Sequence, residues 1–439
     1  MNLLPYSGVN SQIIAEAAQR FGTPLYLYDE QTIVHKCREL LEMPNAFGLR
    51  VSYAMKANAN RAILQLIANM GLHFDLSSVY EGLRAHAAGI PYDRMMLTTQ
   101  DVPTGEARLQ LQEMMLQGMK YNVCSRRQLE LVADFAAEHR LKLALRIHPG
   151  VGAGESVTRN TGDKYSCFGI HMDDLESCLD FAARKGLIFD EVHTHIGSGG
   201  DPHLWRENID RELGYVEKYF PDAETVNLGG GFKEARMPDE KPADIQDLGR
   251  YARDRFQAFF LRTGRKLRMA VEPGTFIMAN AGFLVTSVLD KKSTGDDGFK
   301  FIIADGGMET NTRPLLYGSR HPFYVVSQDG RLLSSEFDLS ELYPETDYRV
   351  VVGRCCESGD SQSLDAQGHI IPRLMADPKI GDYLVIGGAG AYVSYMTLVN
   401  YNSYLQPPEV LLRRDGSLQL IRRRQTLEQM VANELPLNV

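Results

Sequence analysis

Lys56 closes the apolar run VSYA (51–54) within VSYAMKANAN. A lysine at a strand terminus between apolar neighbours is poorly solvated. Desolvation disfavours the ammonium form and leaves a nucleophilic amine able to form a Schiff base with an aldehyde. Alone, such a lysine reads as an ordinary surface residue. Its company along the chain changes that reading. FDLSS carries Asp75, with Ser77 and Ser78 after it, and KLALRI carries Arg146. HTHIGSG supplies His193, His195 and Ser198, NLGGGF supplies Gly229, Gly230 and Gly231, and VEPGT supplies Glu272. Each is weak alone: a triple glycine reads as a flexible loop, and a glutamate before Pro-Gly as a turn. The two histidines alternate along a strand, which predicts that one packs into the core or the helix layer. Together they offer four services. Glycines let backbone N–H groups approach a phosphate, and Ser198 adds a hydroxyl donor. His195 offers a flat face to an aromatic ring, Glu272 can keep a ring nitrogen protonated, and Lys56 supplies the amine. Pyridoxal 5′-phosphate requires all four, and its ring serves as a carbanion sink.

These residues sit at the ends of predicted strands. Short apolar runs alternate with helical patterns from about residue 25 to 280: VSYA (51–54), HFDL (73–76), MMLTT (95–99), KYNV (120–123), KLALRI (142–147), EVHTH (191–195), TVNL (225–228) and RMAVE (268–272). Between them, RAILQLIANM (61–70) and VYEGLRAHAAG (79–89) have helical periodicity, the second closing on a C-cap glycine. Eight strands match an α/β fold of the (β/α)8 TIM-like barrel type, whose active-site groups gather at the C-terminal strand ends. Residues 281–410 are richer in β-branched runs broken by Gly, Asp and Pro, with a hairpin-like turn at Gln328-Asp329-Gly330. They predict a C-terminal antiparallel β-domain, which TPLYLYD (23–29) joins in space. The expected division is a cofactor-binding barrel over 30–280 and a β-domain from 1–29 and 281–439, with a short helix in the tail from Gln425 to Leu435.

A chain of 439 residues is long enough for two cores. A net charge of -9 with no basic face argues against a nucleic-acid partner. No apolar stretch approaches about 18 residues, so no membrane span is expected. The first residues, MNLLPYSGVNSQ, lack the basic and apolar regions of a secretory signal. Six cysteines in a chain of this length form no disulfide framework, and no C-x-x-C pair marks a metal site. A cytoplasmic protein with reduced thiols and no metal is expected.

From FGTPLYLYD through YAMKAN, FDLSS, HTHIGSG, NLGGGF, VEPG, TRPLLYG, CCESGD, GAGAY and YNS to LIRRRQT, the chain resembles the barrel-type, alanine-racemase-like pyridoxal-phosphate decarboxylases. Among them it is similar to the diaminopimelate decarboxylases, over nearly its whole length. The resemblance implies that Lys56 carries the cofactor, His195 stacks on its ring and Glu272 pairs with its pyridine nitrogen. It places Asp75, Ser198, Gly230, Gly231 and Tyr392 in the cofactor site. Of the adjacent cysteines, the C-E-S-G-D pattern selects Cys356 as the acid at the reacting centre, with Cys355 its structural neighbour. Glu357 contacts an amino group of an amino-acid substrate, and Arg313, Tyr317 and Tyr392 complete the substrate site. The implied assembly is a homodimer in which Cys356 reaches the partner's active site. The implied reaction converts meso-diaminopimelate to L-lysine and carbon dioxide, with Cys356 or Lys56 returning a proton to the α-carbon.

One departure stands out. The family's Glu-Pro-Gly-Arg becomes Glu-Pro-Gly-Thr, so Thr275 replaces an arginine that helps bind the second carboxylate. Losing one bidentate guanidinium should weaken distal recognition. Arg320 either restores that charge or is a solvated surface arginine. Thr275 would suit another substrate of a same-fold decarboxylase, such as carboxynorspermidine, an ornithine- or lysine-like amine, or a siderophore precursor. A non-catalytic homologue conflicts with the retained Lys56, His195, Glu272 and Cys356, and a racemase conflicts with CESGD.

Overall fold

The computed structural model describes residues 3–152, 162, 164–197, 201–338 and 346–437. The chain starts in a β-rich unit with the helix Ser11–Phe21 and strand β1 (Leu25–Asp29). It then builds a barrel from β2 (Leu49–Ala54), β3 (His73–Leu76), β4 (Met95–Thr98), β5 (Lys120–Val123), β6 (Lys142–Arg146), β7 (Ile188–His193), β8 (Thr225–Asn227) and β9 (Arg268–Val271). All eight strands are parallel in sequence order, and β2 pairs with β9 to close the ring. The barrel reading therefore holds strand for strand. Helices such as Arg61–Asn69, Val79–Ala87 and Pro202–Tyr219 connect the strands.

Short side chains start these helices close to the strand ends. Asn60 caps Arg61–Asn69 by accepting from the Ala62 N–H at 2.9 Å. Ser78 caps Val79–Ala87 by accepting from the Glu81 N–H at 3.1 Å, while Glu81 accepts from the Ser77 N–H at 2.6 Å. Ser77 and Ser78, read from the sequence as strand-end groups at the mouth, are thus engaged in this cap.

The barrel interior is polar. Arg50 on β2 reaches Glu191 on β7, donating from Nη1 to Oε2 at 2.9 Å and from Nη2 to Oε1. These strands are not neighbours in the ring, so the pair crosses the lumen.

The second unit continues through β10 (Gly282–Ser293), β11 (Lys300–Ala304), β12 (Phe323–Val326), β13 (Leu332–Ser335), β14 (Thr346–Val352), β15 (Arg373–Ala376), β16 (Tyr383–Ile386), β17 (Glu409–Leu412) and β18 (Leu418–Arg422). Strand β1 lies inside this sheet, antiparallel to β10 and parallel to β17. Pairing is mostly antiparallel; β11 with β14 is the other parallel pair. The Gln328-Asp329-Gly330 turn joins β12 to β13, with Gly330 at φ +83°. Leu25, Leu27, Phe283, Val285, Val385 and Val410 form its core, against Ile14, Ala17 and Ala18 of the first helix.

The compact units divide at Ile33/Val34 and Phe276/Ile277, and Ala235–Glu240 belongs with the β-rich unit. The first division falls inside the helix Glu30–Leu41, which no change in sequence texture marks. Among the described residues no helix is long and apolar enough to cross a membrane.

Candidate active site

Immediately after β2 the chain makes one tight turn, Met55–Ala57, with Met55 and Ala57 buried. The Tyr53 hydroxyl donates to the Asn58 carbonyl at 3.0 Å, and Asn58 Oδ1 accepts from the Asn60 N–H at 3.0 Å. Lys56 points out of this stapled turn with 46 % of its side chain exposed. The expected desolvation of the amine is therefore corrected: its apolar neighbours turn inward while the lysine turns outward. Asp75 Oδ2 lies 3.3 Å from its Nζ. Asp75 is buried, and burial followed by the nearby Glu272 charge raises its carboxyl above the ordinary range, against the opposing pull of Lys56.

Glu272 follows β9 directly. Its Oε1 accepts from Asn227 Nδ2 at 2.8 Å, and Oε2 lies 3.3 Å from His193 Nε2. Burial alone would raise its carboxyl, but His193, Lys56 and Asn227 outweigh that effect and hold it below the ordinary range. Two nearby carboxyls are thus driven apart, Glu272 ionised and Asp75 protonated more readily. Both histidines serve the barrel: His193 packs into its core, one of the two places expected for one of the pair, and neither enters the helix layer. Residues two apart on a strand share a face, and Thr194 between them turns outward to Glu212 and Asn208. His193 is deeply buried, its Nδ1 2.7 Å from Asn122 Nδ2.

His195 Nδ1 accepts from the Gly230 N–H at 3.1 Å, leaving Nε2 to carry the proton of a neutral ring. Burial, then Arg146 and Lys56, keep its pKa well below the usual histidine value. The glycine loop wraps closely around this ring. A Cβ on Gly230 would stand 2.5 Å from the Glu272 carbonyl oxygen, and one on Gly231 2.6 Å from that of Gly197, with Gly231 at φ +96°. Only glycine fits such an approach. Ser198 lies outside the described residues. Arg146 is buried with its guanidinium carbon 4.9 Å from the Phe168 ring centre, and its Nε has no hydrogen-bond partner among the described residues.

The other candidate residues lie in the β-rich unit. Arg313 opens the short helix Arg313–Tyr317; it is buried, donates from Nη2 to Ser319 Oγ at 3.3 Å and lies 5.8 Å from the Tyr317 ring centre. Tyr392 is held at φ +56°, an uncommon backbone for a bulky residue. The loop after β14 separates the two cysteines. Cys355 Sγ faces Glu309 Oε2 at 3.5 Å, and burial with Glu309 and Asp360 raises its thiol pKa. Cys356 is exposed, its N–H donating to Asn402 Oδ1 at 2.8 Å. Glu357 is exposed beside it, and hydrogen bonds from the Gly359 N–H and Ser358 lower its carboxyl pKa.

Asp360 locks this loop. Its carboxylate accepts from the N–H groups of Met308 at 2.6 Å and Cys355 at 2.7 Å, against Gly307 and Gly353. Glu309, Cys355 and Asp360 gather metal-type atoms within 4.8 Å, but both carboxylates already serve these backbone groups and Arg354. Arg320 donates to both oxygens of Asp239, at 2.9 and 2.8 Å, so its guanidinium is already committed to a carboxylate.

Sequence reading missed Asn227, Asn122 and the Arg50–Glu191 pair. The available signal was polar residues in the middle of short buried strands, as in TVNL and KYNV.

Residues 30–279 match the family described as pyridoxal-dependent decarboxylase, pyridoxal binding domain. Diaminopimelate decarboxylase of Escherichia coli (strain K12) is 33 % identical over 423 residues, which cover 94 % of each chain. The chain belongs to the diaminopimelate decarboxylase family. A crystal structure of diaminopimelate decarboxylase matches with a TM-score of 0.85 at 31 % identity, covering 96 % of both chains. Another, from Helicobacter pylori and complexed with L-lysine, matches with a TM-score of 0.79 at 26 % identity, covering 95 % of this chain and 98 % of that one. The cofactor is pyridoxal 5′-phosphate, and the barrel of this family member fits it. An exposed amine adjoins a carboxyl that can carry a proton, and an ionised buried carboxylate stands beneath. The glycine loop packs so closely on the Glu272 and Gly197 carbonyls that no Cβ fits, which leaves its backbone N–H groups without side-chain cover.

Proposed function

We propose that this protein decarboxylates meso-diaminopimelate to L-lysine and carbon dioxide, with Lys56, Asp75, His195, Gly230, Gly231 and Glu272 holding the cofactor. The reading is carried by the gathering of Lys56, Asp75, His193 and Glu272 at one barrel mouth, in a chain related end to end to diaminopimelate decarboxylases. When bound, pyridoxal 5′-phosphate supplies the sink for the electron pair left at the α-carbon as carbon dioxide departs.

The chain's own residues do the rest. Glu272, ionised among its hydrogen bonds, would favour the protonated form of the cofactor's ring nitrogen. Asp75 Oδ2, 3.3 Å from Lys56 Nζ, would hold or release a proton at that amine. The neutral His195 would offer its ring face to the cofactor ring. Gly230 and Gly231, with Ser198 and Tyr392, would hold the phosphate. Arg313 and Tyr317 receive the distal carboxylate, Glu357 receives an amino group, and Cys356 or Lys56 returns the proton to the α-carbon.

Two chains form a homodimer with shared sites, in which Cys356 serves the partner's barrel. Exposure of Cys356 and Glu357 supports this arrangement. Mixing the inactive Lys56→Ala and Cys356→Ala variants should restore activity if sites are shared; lasting inactivity would place Cys356 in its own chain's site. The six unpaired cysteines support the cytoplasm as compartment.

Thr275 favours one second reading, decarboxylation of a different amino acid such as carboxynorspermidine, an ornithine- or lysine-like amine or a siderophore precursor. Arg320, committed to Asp239, is poorly placed to replace the missing arginine. Carbon dioxide release from meso-diaminopimelate, ornithine, lysine and carboxynorspermidine decides between them. Fastest release from the meso isomer is expected; equal or faster release from another substrate would transfer the assignment.

A further inference from the structure

Asn227, fully buried at the end of β8, makes three directional contacts with one side chain. Its Nδ2 donates to Glu272 Oε1 at 2.8 Å and to Glu191 Oε1 at 3.1 Å. Its Oδ1 accepts from the Gly229 N–H at 3.1 Å. A primary amide has two N–H groups and a carbonyl oxygen with two lone pairs, so both donors and one acceptor position are used here. Glu191 is itself gripped by Arg50 from across the barrel. The amide is therefore tied below to a cross-lumen ion pair, sideways to the Glu272 carboxylate, and upward to the first residue of the glycine loop.

We propose that Asn227 is a positioning residue that fixes the spacing between the carboxylate facing the cofactor's ring nitrogen and the glycine loop facing its phosphate. The inference rests on the cofactor reading above. A rigid aromatic phosphate presents those two groups at one separation, so a site that binds both needs the same separation built in before binding. The backbone supplies a second tie in the same place: the Glu272 N–H donates to the Gly229 carbonyl at 2.8 Å. Asn227 adds the side-chain tie from Gly229 to the carboxylate itself. A residue serving only the stability of β8 would not need to bond both the Glu272 carboxylate and the glycine loop.

Two substitutions separate these ties. Asn227→Asp retains an acceptor for the Gly229 N–H but loses both donors and sets a third carboxyl between Glu191 and Glu272. Asn227→Ala removes both ties. The probes are pyridoxal 5′-phosphate and unphosphorylated pyridoxal, titrated into apoprotein and followed by absorbance. Loss of a hydrogen bond to a charged group predicts that Asn227→Asp binds both aldehydes roughly 10- to 100-fold more weakly. It should keep the wild-type preference for the phosphorylated form and show an altered pH dependence of the bound-cofactor absorption band. Asn227→Ala should also lose roughly tenfold or more of that preference. Equal weakening of both aldehydes by Asn227→Ala, or wild-type affinities and spectra in either variant, would overturn the proposal.

Hydrogen exchange on the wild type gives a test that needs no variant to fold. Coupling predicts that pyridoxal, lacking phosphate, slows exchange in the peptide spanning Gly229–Gly231; unchanged exchange overturns the proposal. Failure of the wild type to bind pyridoxal 5′-phosphate would instead refute the cofactor reading itself.

Discussion

Replacing Gly230 by alanine sets a methyl carbon 2.5 Å from the Glu272 carbonyl oxygen. A comfortable carbon–oxygen contact is about 3.3 Å, so loop and strand end must part by about 0.8 Å. The obstacle is backbone and cannot rotate away. Overpacking of this kind costs about 1–3 kcal/mol, or about 2–4 °C in Tm per kcal/mol for a domain of 150–250 residues. The shift also has a direction. Gly230 N–H is bonded to His195 Nδ1 at 3.1 Å, and Gly229 accepts from the Glu272 N–H at 2.8 Å, so both residues move with the loop. We expect Gly230→Ala to lower Tm by several degrees and to weaken pyridoxal 5′-phosphate binding roughly tenfold, if about half the strain is carried by the bound state. Gly214→Ala is the control of opposite sign. Gly214 is exposed inside the helix Pro202–Tyr219, with no atom within 4 Å of an added Cβ. There alanine should stabilise by up to about 1 kcal/mol and leave the cofactor alone. Differential scanning calorimetry and absorbance titration of both variants provide the assay. Unchanged cofactor affinity in Gly230→Ala, at normal Tm, would refute the argument that the loop is a close-fitting cradle.

Three further outcomes follow from the same physics. Arg50→Met strands the Glu191 carboxylate in the barrel lumen and should cost about 3–5 kcal/mol in urea unfolding, whereas Lys142→Ala, which breaks an exposed pair with Glu224, should cost no more than about 1 kcal/mol. Brief iodoacetamide treatment followed by peptide mass analysis should label the exposed Cys356 well before Cys355, whose thiol is held protonated by burial, Glu309 and Asp360; equal labelling contradicts that placement. His321 is kept neutral by burial and by Arg236, Arg313 and Arg373, so its pKa lies well below the usual value. The unfolded chain takes up this proton below about pH 6.5 and the folded chain does not, so the contribution is present above that pH and is lost on acidification, by up to about 1.4 kcal/mol per unit. His321→Asn keeps a donor for the Gly387 carbonyl and should flatten the dependence of the urea midpoint between about pH 7.5 and 5.

Much of the barrel could be read from local pattern, since each strand is a short apolar run between helical segments; HFDL and KYNV coincide with β3 and β5. Strand β7 begins three residues before the predicted EVHTH, at Ile188, where the register slips against β6 and alternation is broken. Lys56, Asp75, His193 and Glu272 could be grouped from sequence because they lie at or just after the ends of strands. The column beneath them could not. Arg50 and Glu191 are 141 positions apart, and the Asn122–His193 contact joins strands that are not neighbours. No local pattern reports a pairing across a barrel lumen. Lys56 shows the converse limit: apolar neighbours in sequence suggested a desolvated amine, yet a single turn buries them and exposes the lysine. The role of Asp360, at the end of a recognisable motif, required the glycines on either side of its carboxylate to be seen.

Lys56 is the residue on which attachment of the cofactor depends. Purified protein incubated with pyridoxal 5′-phosphate, reduced with borohydride, digested and sequenced by mass spectrometry tests this directly. The pyridoxyl-phosphate group should appear on the peptide containing Lys56, with loss of the yellow absorbance on dialysis of Lys56→Ala. A colourless wild type after cofactor addition, or a label on another lysine, would contradict the assignment of Lys56.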